Sequence, residues 1–127
     1  MADAVLDSSA VFAVLQNETG ADAVTAILES AVVSAVNYAE IIGKLIERGA
    51  TLEEARRTLS TIDLQIADYD EGLAERTGEL IHLTRRQGLS LGDRACIALA
   101  EREGVPAYTA DRRWSQISFG IDIRLIR

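Results

Sequence analysis

The chain has 127 residues, enough for one hydrophobic core, so residues 1–127 are predicted to form a single domain. Apolar residues make up 48% of it, yet no apolar run approaches the roughly 18 residues of a membrane span, and the start lacks the basic region of a signal peptide. These features predict a cytoplasmic protein without membrane contact. The net charge of −7 excludes nucleic-acid binding by bulk charge, so such binding would need local arginines or a bridging metal ion.

The chain is predicted to alternate between short strands and longer helices. The strands are apolar runs that stop at polar residues, at 4–6, 31–33, 62–66, 106–109 and 121–126. The helices begin at capping residues or carry apolar stripes, at 8–15, 21–30, 35–48, 51–59, 70–87 and 90–104, with a helical turn around Trp114. This alternation predicts an α/β protein in which helices cover both faces of a short, mainly parallel sheet.

Two aspartates directly follow predicted strands, at the sheet edge where ligands bind in this class of fold. They are Asp7 and Asp111. Glu40 lies two turns into the helix after the second strand, and Asp93 lies in the first turn of another helix, so both can reach the same edge. Converging carboxylates repel by about 4 kcal/mol per pair at 4 Å and an effective dielectric near 20. A hard divalent cation relieves this repulsion, and oxygen ligands favour Mg²⁺ or Mn²⁺ over zinc.

Each of these acidic residues also has an ordinary structural explanation. Asp7 and Asp111 stand where aspartate commonly serves as a helix N-cap. Asp93 comes three residues after a serine, as in a capping box, although it also falls within the apolar arc of its helix, where an unpaired charge is costly. Glu40 lies almost opposite the apolar face of its helix and within reach of Lys44, which fits a surface ion pair. Spacing alone leaves both interpretations open.

Four segments of the chain resemble the motif blocks of PIN-domain ribonucleases, in particular the VapC toxins of bacterial toxin–antitoxin pairs. The segments are VLDSSAVFAVL (5–15), SAVNYAEIIGKL (34–45), LSLGDRACIALA (89–100) and AYTADRRW (107–114). They occur in the family's order and spacing, and they cover essentially the whole chain. The resemblance implies a PIN-like three-layer α/β/α fold. It also implies that the family's acidic site falls on Asp7, Glu40, Asp93 and Asp111.

The resemblance implies metal-assisted hydrolysis of RNA phosphodiester bonds by an endoribonuclease. Asp7 and Asp93 are expected to bind Mg²⁺, or Mn²⁺, most directly, whereas Glu40 and Asp111 act through water. The metal ion helps to generate hydroxide at neutral pH, so no histidine or serine nucleophile is needed. Neighbouring polar residues are interpreted either as contacts to metal-bound water or phosphate, or as caps; they are Ser8, Ser9, Asn37 and Thr109.

Arginines in the second half of the chain are candidate RNA contacts. Residues 1–75 contain 14 acidic and 4 basic residues, whereas residues 76–127 contain 6 acidic and 9 basic residues. Arg112 and Arg113 directly follow Asp111 and are predicted to contact RNA phosphates, with a solvated helix face as the alternative for each. Some PIN domains have a further acidic residue in this stretch, so the arginines here predict a weaker hold on a second metal ion.

The resemblance also implies partners. VapC-like toxins are usually homodimers, and a small antitoxin neutralises them by covering the acidic groove, where it often inserts a basic side chain. We therefore expect a VapB-like antitoxin, an RNA substrate and a homodimer.

The main alternative is a PIN-fold module that binds RNA or protein with little turnover. A receiver domain fits less well because it needs paired acids after the first strand and a late lysine. A dehalogenase-type phosphatase needs a second aspartate where Ser9 stands. Glu79 and His82 have the spacing of a di-iron pair, but the chain lacks the second pair that such a site requires.

Overall fold

A five-stranded parallel sheet forms the centre of the computed structural model, which describes residues 2–117 and 120–127. The strands are β1 (Ala4–Leu6), β2 (Ala31–Ser34), β3 (Gln65–Ala67), β4 (Ala107–Thr109) and β5 (Ile123–Leu125). Their order in the sheet is β3-β2-β1-β4-β5, and all neighbouring strands run parallel. The predicted class, an α/β fold with a short parallel sheet, is confirmed.

Helices connect the strands. They are α1 (Ser8–Leu15), α2 (Ala21–Thr25), α3 (Ala35–Glu47), α4 (Leu52–Ser60), α5 (Glu71–Glu79), α6 (Ile81–Thr84) and α7 (Leu91–Glu103). Short 3-10 helices occur at Leu28–Ser30, Arg85–Gln87 and Arg112–Gln116. None of the helices within the described residues is long and apolar enough to cross a membrane.

The sheet separates two hydrophobic cores. Successive side chains of a strand point to opposite faces, and in β1 this sends Ala4 and Leu6 into one core and Val5 into the other. The first core also contains apolar residues of α1, α3 and α4, whereas the second contains those of α5 and α7 together with Trp114. The three-layer arrangement follows from this alternation.

Helix α7 is buried more completely than its sequence pattern predicts. Ala98 lies on the helix face that carries Arg94, Glu101 and Arg102, a pattern that predicts exposure, yet Ala98 is only 1% exposed. Every residue from 95 to 100 is buried, because the helix lies against the sheet and also packs between α3 and α5. Alanines make this close packing possible, and the first turn of α7 is thereby held firmly beside β1.

Several predicted boundaries are wrong for local reasons. The helix predicted over 21–30 stops after Thr25, and Ile27 has a non-helical backbone (ψ 4°) before the short 3-10 helix. The strand predicted over 62–66 begins only at Gln65, because Asp63 adopts the left-handed conformation (φ 49°). Strands β4 and β5 are likewise shorter than the predicted 106–109 and 121–126.

The helix predicted over 70–87 is broken into α5, α6 and a 3-10 helix. Two buried threonines accompany the break: Thr77 donates its hydroxyl to the carbonyl of Leu73, and Thr84 donates to that of Leu80. Such bonds to the carbonyl four residues back bend helices.

Candidate active site

A pocket of about 250 Å³ lies at the carboxyl ends of the central strands. Its lining is mostly polar and comes from four separate parts of the chain, at the starts of α1 and α7, along α3, and after β4. The lining residues are Asp7, Ser8, Ser9, Asn37, Glu40, Lys44, Ser90, Asp93, Asp111 and Arg113. The four predicted acidic residues therefore face one pocket.

Asp7 is the most deeply buried of the four carboxylates, at 4% exposure. It caps α1: its Oδ1 accepts hydrogen bonds from the Ala10 amide at 2.9 Å and the Ser9 hydroxyl at 2.7 Å. Its Oδ2 accepts from the Thr109 hydroxyl at 2.5 Å. Burial nevertheless raises the pKa of Asp7 to about 6, because the loss of hydration outweighs these hydrogen bonds. When Asp7 is ionised, its carboxylate has no cationic partner among the described residues.

Two hydroxyl groups join the end of β1 to the end of β4. Besides donating to Asp7, the Ser9 hydroxyl accepts from the amide of Ala110 at 2.9 Å, and the Thr109 hydroxyl accepts from the amide of Asp111 at 3.0 Å. Thr109 is fully buried behind Asp7. Thr109 thus supports the carboxylate of Asp7, and its predicted contact with metal-bound water or phosphate stays a prediction.

Glu40 points toward the start of α7 and not toward solvent. Its Oε1 accepts from the Ser8 hydroxyl at 2.8 Å and from the Asn37 amide at 2.9 Å. The same Asn37 amide also donates to the carbonyl of Gly92 at 3.1 Å, so Asn37 bridges α3 and α7. Among the described residues no ion pair joins Glu40 to Lys44, which removes the surface-pair interpretation.

Asp93 is both a helix cap and part of the pocket lining. It forms a capping box with Ser90: its Oδ2 accepts from the Ser90 amide at 2.9 Å, and its own amide donates to the Ser90 hydroxyl at 3.2 Å. Its side chain also lines the pocket and is only 19% exposed. Burial raises the pKa of Asp93, and the nearby charge of Asp111 adds to this rise.

Asp111 is paired with an arginine two residues along the chain. The Arg113 Nη2 lies 2.6 Å from Asp111 Oδ2, and the Arg113 Nε lies 3.0 Å from Oδ1. These hydrogen bonds hold the pKa of Asp111 below its usual value. Asp111 also caps the 3-10 helix that follows it. Arg112, by contrast, is exposed and forms no ion pair within the described part of the chain.

The pocket residues fit a hard divalent cation by their chemistry. They offer carboxylate oxygens as ligands. Burial disfavours the ionised form of Asp7, and a bound cation would stabilise that form. Across the described residues, however, no three acidic, histidine or cysteine side chains are drawn together tightly enough to form a ready-made metal site. The carboxylates are instead held apart by caps, hydroxyls and Arg113, so binding a cation requires side-chain adjustment.

Sequence reasoning underestimated two members of this site. Gly92 matters because a Cβ atom there would overlap the carboxylate of Glu40. A glycine in the first turn of a helix was the available signal, since it usually has a packing reason. Arg113 was predicted to face RNA, but its guanidinium turns back onto the carboxylates. Its spacing of two residues from Asp111 was compatible with this pairing but did not require it.

The parallel three-layer fold and the acidic side chains at the carboxyl ends of its strands place this protein among the α/β proteins that carry a charged pocket at that edge of the sheet. The sequence matches the family model of the PIN domain over residues 4–120. The chain therefore belongs to the PIN domain family, as its motif blocks predicted. None of the curated proteins matches the sequence.

Solved structures of toxin–antitoxin complexes share this fold. DNA-bound VapBC from Salmonella typhimurium is 20% identical with a TM-score of 0.74, and the match covers 100% of both chains. VapBC2 from Rickettsia felis, bound to a promoter fragment, is 15% identical with a TM-score of 0.72, over 94% of this chain and 96% of that one. VapBC-5 from Mycobacterium tuberculosis is 21% identical with a TM-score of 0.64, over 98% of each. At these identities the likeness shows the fold alone.

Proposed function

We propose that this protein is a metal-dependent endoribonuclease that acts as the toxin of a toxin–antitoxin pair in the cytoplasm. The observation that carries the proposal is that carboxylates from four separate segments face one pocket in a PIN domain. The similarity to VapBC structures adds support, because those proteins are toxin–antitoxin complexes.

In the proposed site, Asp7 and Asp93 hold Mg²⁺ or Mn²⁺ directly, and Glu40 and Asp111 orient water. A bound divalent cation supplies polarisation of the phosphoryl oxygen and a hydroxide at neutral pH. Ser8 and Asn37 keep Glu40 in place through the hydrogen bonds to its Oε1; their predicted contact with phosphate remains a prediction.

Phosphate recognition is assigned to Arg112, the residue after Asp111, and to Lys44 in the pocket. Arg112 is exposed and has no acidic partner among the described residues, so it is available to an RNA strand. Lys44 lines the pocket one helical turn after Glu40. A strand that enters an acidic pocket needs such contacts, because the bulk charge of the protein repels it.

The proposed partner is a VapB-like antitoxin, and the proposed assembly is a homodimer. An acidic pocket attracts basic side chains as well as metal ions, so a basic antitoxin segment complements it. Growth arrest on expression of the protein alone, relieved by co-expression of a small neighbouring gene product, is the expected result. Harmless overexpression of folded protein would contradict the toxin assignment.

Cleavage is tested directly with purified protein and single-stranded RNA in Mg²⁺, in Mn²⁺ and in chelator. We expect cleavage only with a divalent ion. The alternative is a PIN module that binds RNA or protein without turnover. The pairing of Arg113 with Asp111 favours this alternative, because it occupies a carboxylate of the proposed metal site. RNA binding without cleavage at any metal concentration would support that alternative.

A further inference from the structure

Arg113 is anchored across the acidic rim of the pocket by contacts on three sides. Its guanidinium forms a bidentate pair with Asp111, and its Nη2 lies 3.8 Å from Oδ2 of Asp93. Its Nη1 also donates to the backbone carbonyls of Gln87 and Gly88, each at 3.2 Å. The two backbone carbonyls thus hold the Arg113 guanidinium in a position where it faces the carboxylates of Asp93 and Asp111.

In this position Arg113 competes with the proposed metal ion for the carboxylates of Asp93 and Asp111. Asp93 and Asp111 come from different segments, and their like charges disfavour close approach. Arg113 relieves that repulsion as a divalent cation would. Because a bidentate guanidinium occupies both oxygens of Asp111, and because its charge repels a second cation, Arg113 and a metal ion cannot use Asp111 fully at the same time.

The geometry also permits Arg113 to leave. Its side chain is 53% exposed, and ion pairs at such exposure are weak. Guanidinium binds phosphate in the same planar, two-pronged manner as it binds carboxylate. A phosphodiester at the pocket rim is therefore an alternative partner of matching chemistry.

We propose that Arg113 is the resident counter-ion of Asp93 and Asp111, which a divalent cation displaces and which then binds a phosphate of the RNA strand. This inference rests on the proposed function, because it assigns a role within the same site. It makes metal loading and RNA binding cooperative, since each removes Arg113 from Asp111.

The experiment measures Mn²⁺ affinity by calorimetry in the full-length wild-type protein and in Arg113→Gln, Arg113→Lys and Arg56→Gln. Arg56 is the matched control, because it is an exposed arginine of α4 that lies outside the acidic pocket and has no ion pair within the described residues. We expect Arg113→Gln to bind Mn²⁺ roughly three- to tenfold more tightly than wild type. Arg113→Lys should fall in between, because lysine keeps the charge but loses the bidentate geometry, and Arg56→Gln should match wild type.

A second measurement needs no metal. In chelator, Arg113→Gln should melt at a lower temperature than Arg56→Gln, and saturating Mn²⁺ should remove the difference. Equal Mn²⁺ affinity in wild type and Arg113→Gln would overturn the inference while leaving the proposed function standing. A failure of the wild-type protein to bind Mn²⁺ would instead overturn the proposed metal site, and this inference with it.

Discussion

The carboxylate of Glu40 lies against the backbone of Gly92, in the space that a side chain at position 92 would fill. The Ser8 hydroxyl and the Asn37 amide donate hydrogen bonds to this carboxylate. The Glu40 carboxylate can therefore keep this position against the first turn of α7 only while residue 92 has no Cβ. Gly92 sets the position of Glu40 relative to Asp93, its neighbour in the same turn.

Gly92→Ala should displace Glu40 without unfolding the protein. The overlapping group is the end of a flexible side chain, so it can move, but movement breaks its hydrogen bonds to Ser8 and Asn37. We expect metal affinity and RNA cleavage to fall by roughly tenfold or more, as for other groups that orient a metal ligand. Calorimetry with Mn²⁺ and a cleavage assay measure both.

The control is Gly78→Ala in α5, where an added Cβ meets open space. It should leave cleavage unchanged and raise the free energy of unfolding by about 0.5–1 kcal/mol, because alanine favours the helix. If Gly92→Ala cleaves RNA as wild type does, Gly92 has no positioning role.

Asp7 should make the metal-free protein less stable as the pH rises. Its pKa is raised in the folded state from 3.8 to about 6, so the folded protein binds more protons than the unfolded chain between these values. This contribution to stability is fully present below about pH 3.8 and is lost as the pH rises through about 6. The free energy of unfolding should fall by about 3 kcal/mol over this range, because each unit of the pKa difference corresponds to about 1.4 kcal/mol.

Asp7→Asn isolates this contribution from other titrating groups. In urea unfolding with chelator, the stability of Asp7→Asn relative to wild type should increase between pH 4 and pH 6 and level off above, because only wild type develops the buried charge. Mg²⁺ at pH 7 should reduce this advantage, since an ionised Asp7 then has a cationic partner. A difference that does not vary with pH would show that Asp7 titrates normally.

Thr109→Val should lower the free energy of unfolding, because Thr109 supports the buried side of the pocket. The hydroxyl is buried, donates to Asp7 and accepts from the amide of Asp111, so its removal leaves two polar groups without their partner. Such losses cost about 1–3 kcal/mol. Thr84→Val is the control: Thr84 is equally buried, but its partner, the carbonyl of Leu80, keeps a backbone hydrogen bond. Urea unfolding should show the larger loss for Thr109→Val, and equal losses would contradict this account.

The sequence predicted the parallel sheet and the acidic edge because both follow from local patterns. Asp7 and Asp111 could be placed together because each directly follows an apolar strand, and the carboxyl ends of parallel strands share an edge. Glu40 could not be placed by periodicity, because its contacts lie on Ser8 and Gly92, far away in the sequence. Its assignment needed the family resemblance.

The remaining errors arise from single residues and from packing. The left-handed backbone of Asp63 delays β3, although aspartate carries no strong signal for that conformation. Ala98 is buried because α7 packs on more than one side, which a single-helix pattern does not reveal. The inward turn of Arg113 depends on the carbonyls of Gln87 and Gly88, contributed by a segment about 25 residues earlier.

Asp93→Asn should separate the cap from the proposed metal site, because Asp93 forms the cap and is a ligand in that proposal. An asparagine can still accept a hydrogen bond from the Ser90 amide, so the cap is kept, while a partly buried charge beside Asp111 is removed. The metal-free protein should therefore melt at the same temperature or higher. The gain in melting temperature on adding Mg²⁺, and RNA cleavage with it, should be lost, because an amide oxygen is a poorer ligand for a hard cation.

Glu54→Gln provides a matched control in the other capping box, formed with Thr51 at the start of α4. Glu54 does not line the acidic pocket. Neutralising it should cost a few tenths of a kcal/mol through the lost interaction with the helix dipole, and the Mg²⁺-dependent gain should be retained. Thermal melting of the wild type and both variants, in chelator and in Mg²⁺, gives the comparison beside a cleavage assay. An Asp93→Asn protein that gains as much from Mg²⁺ as wild type and still cuts RNA would remove Asp93 from the metal site and leave it only as a cap.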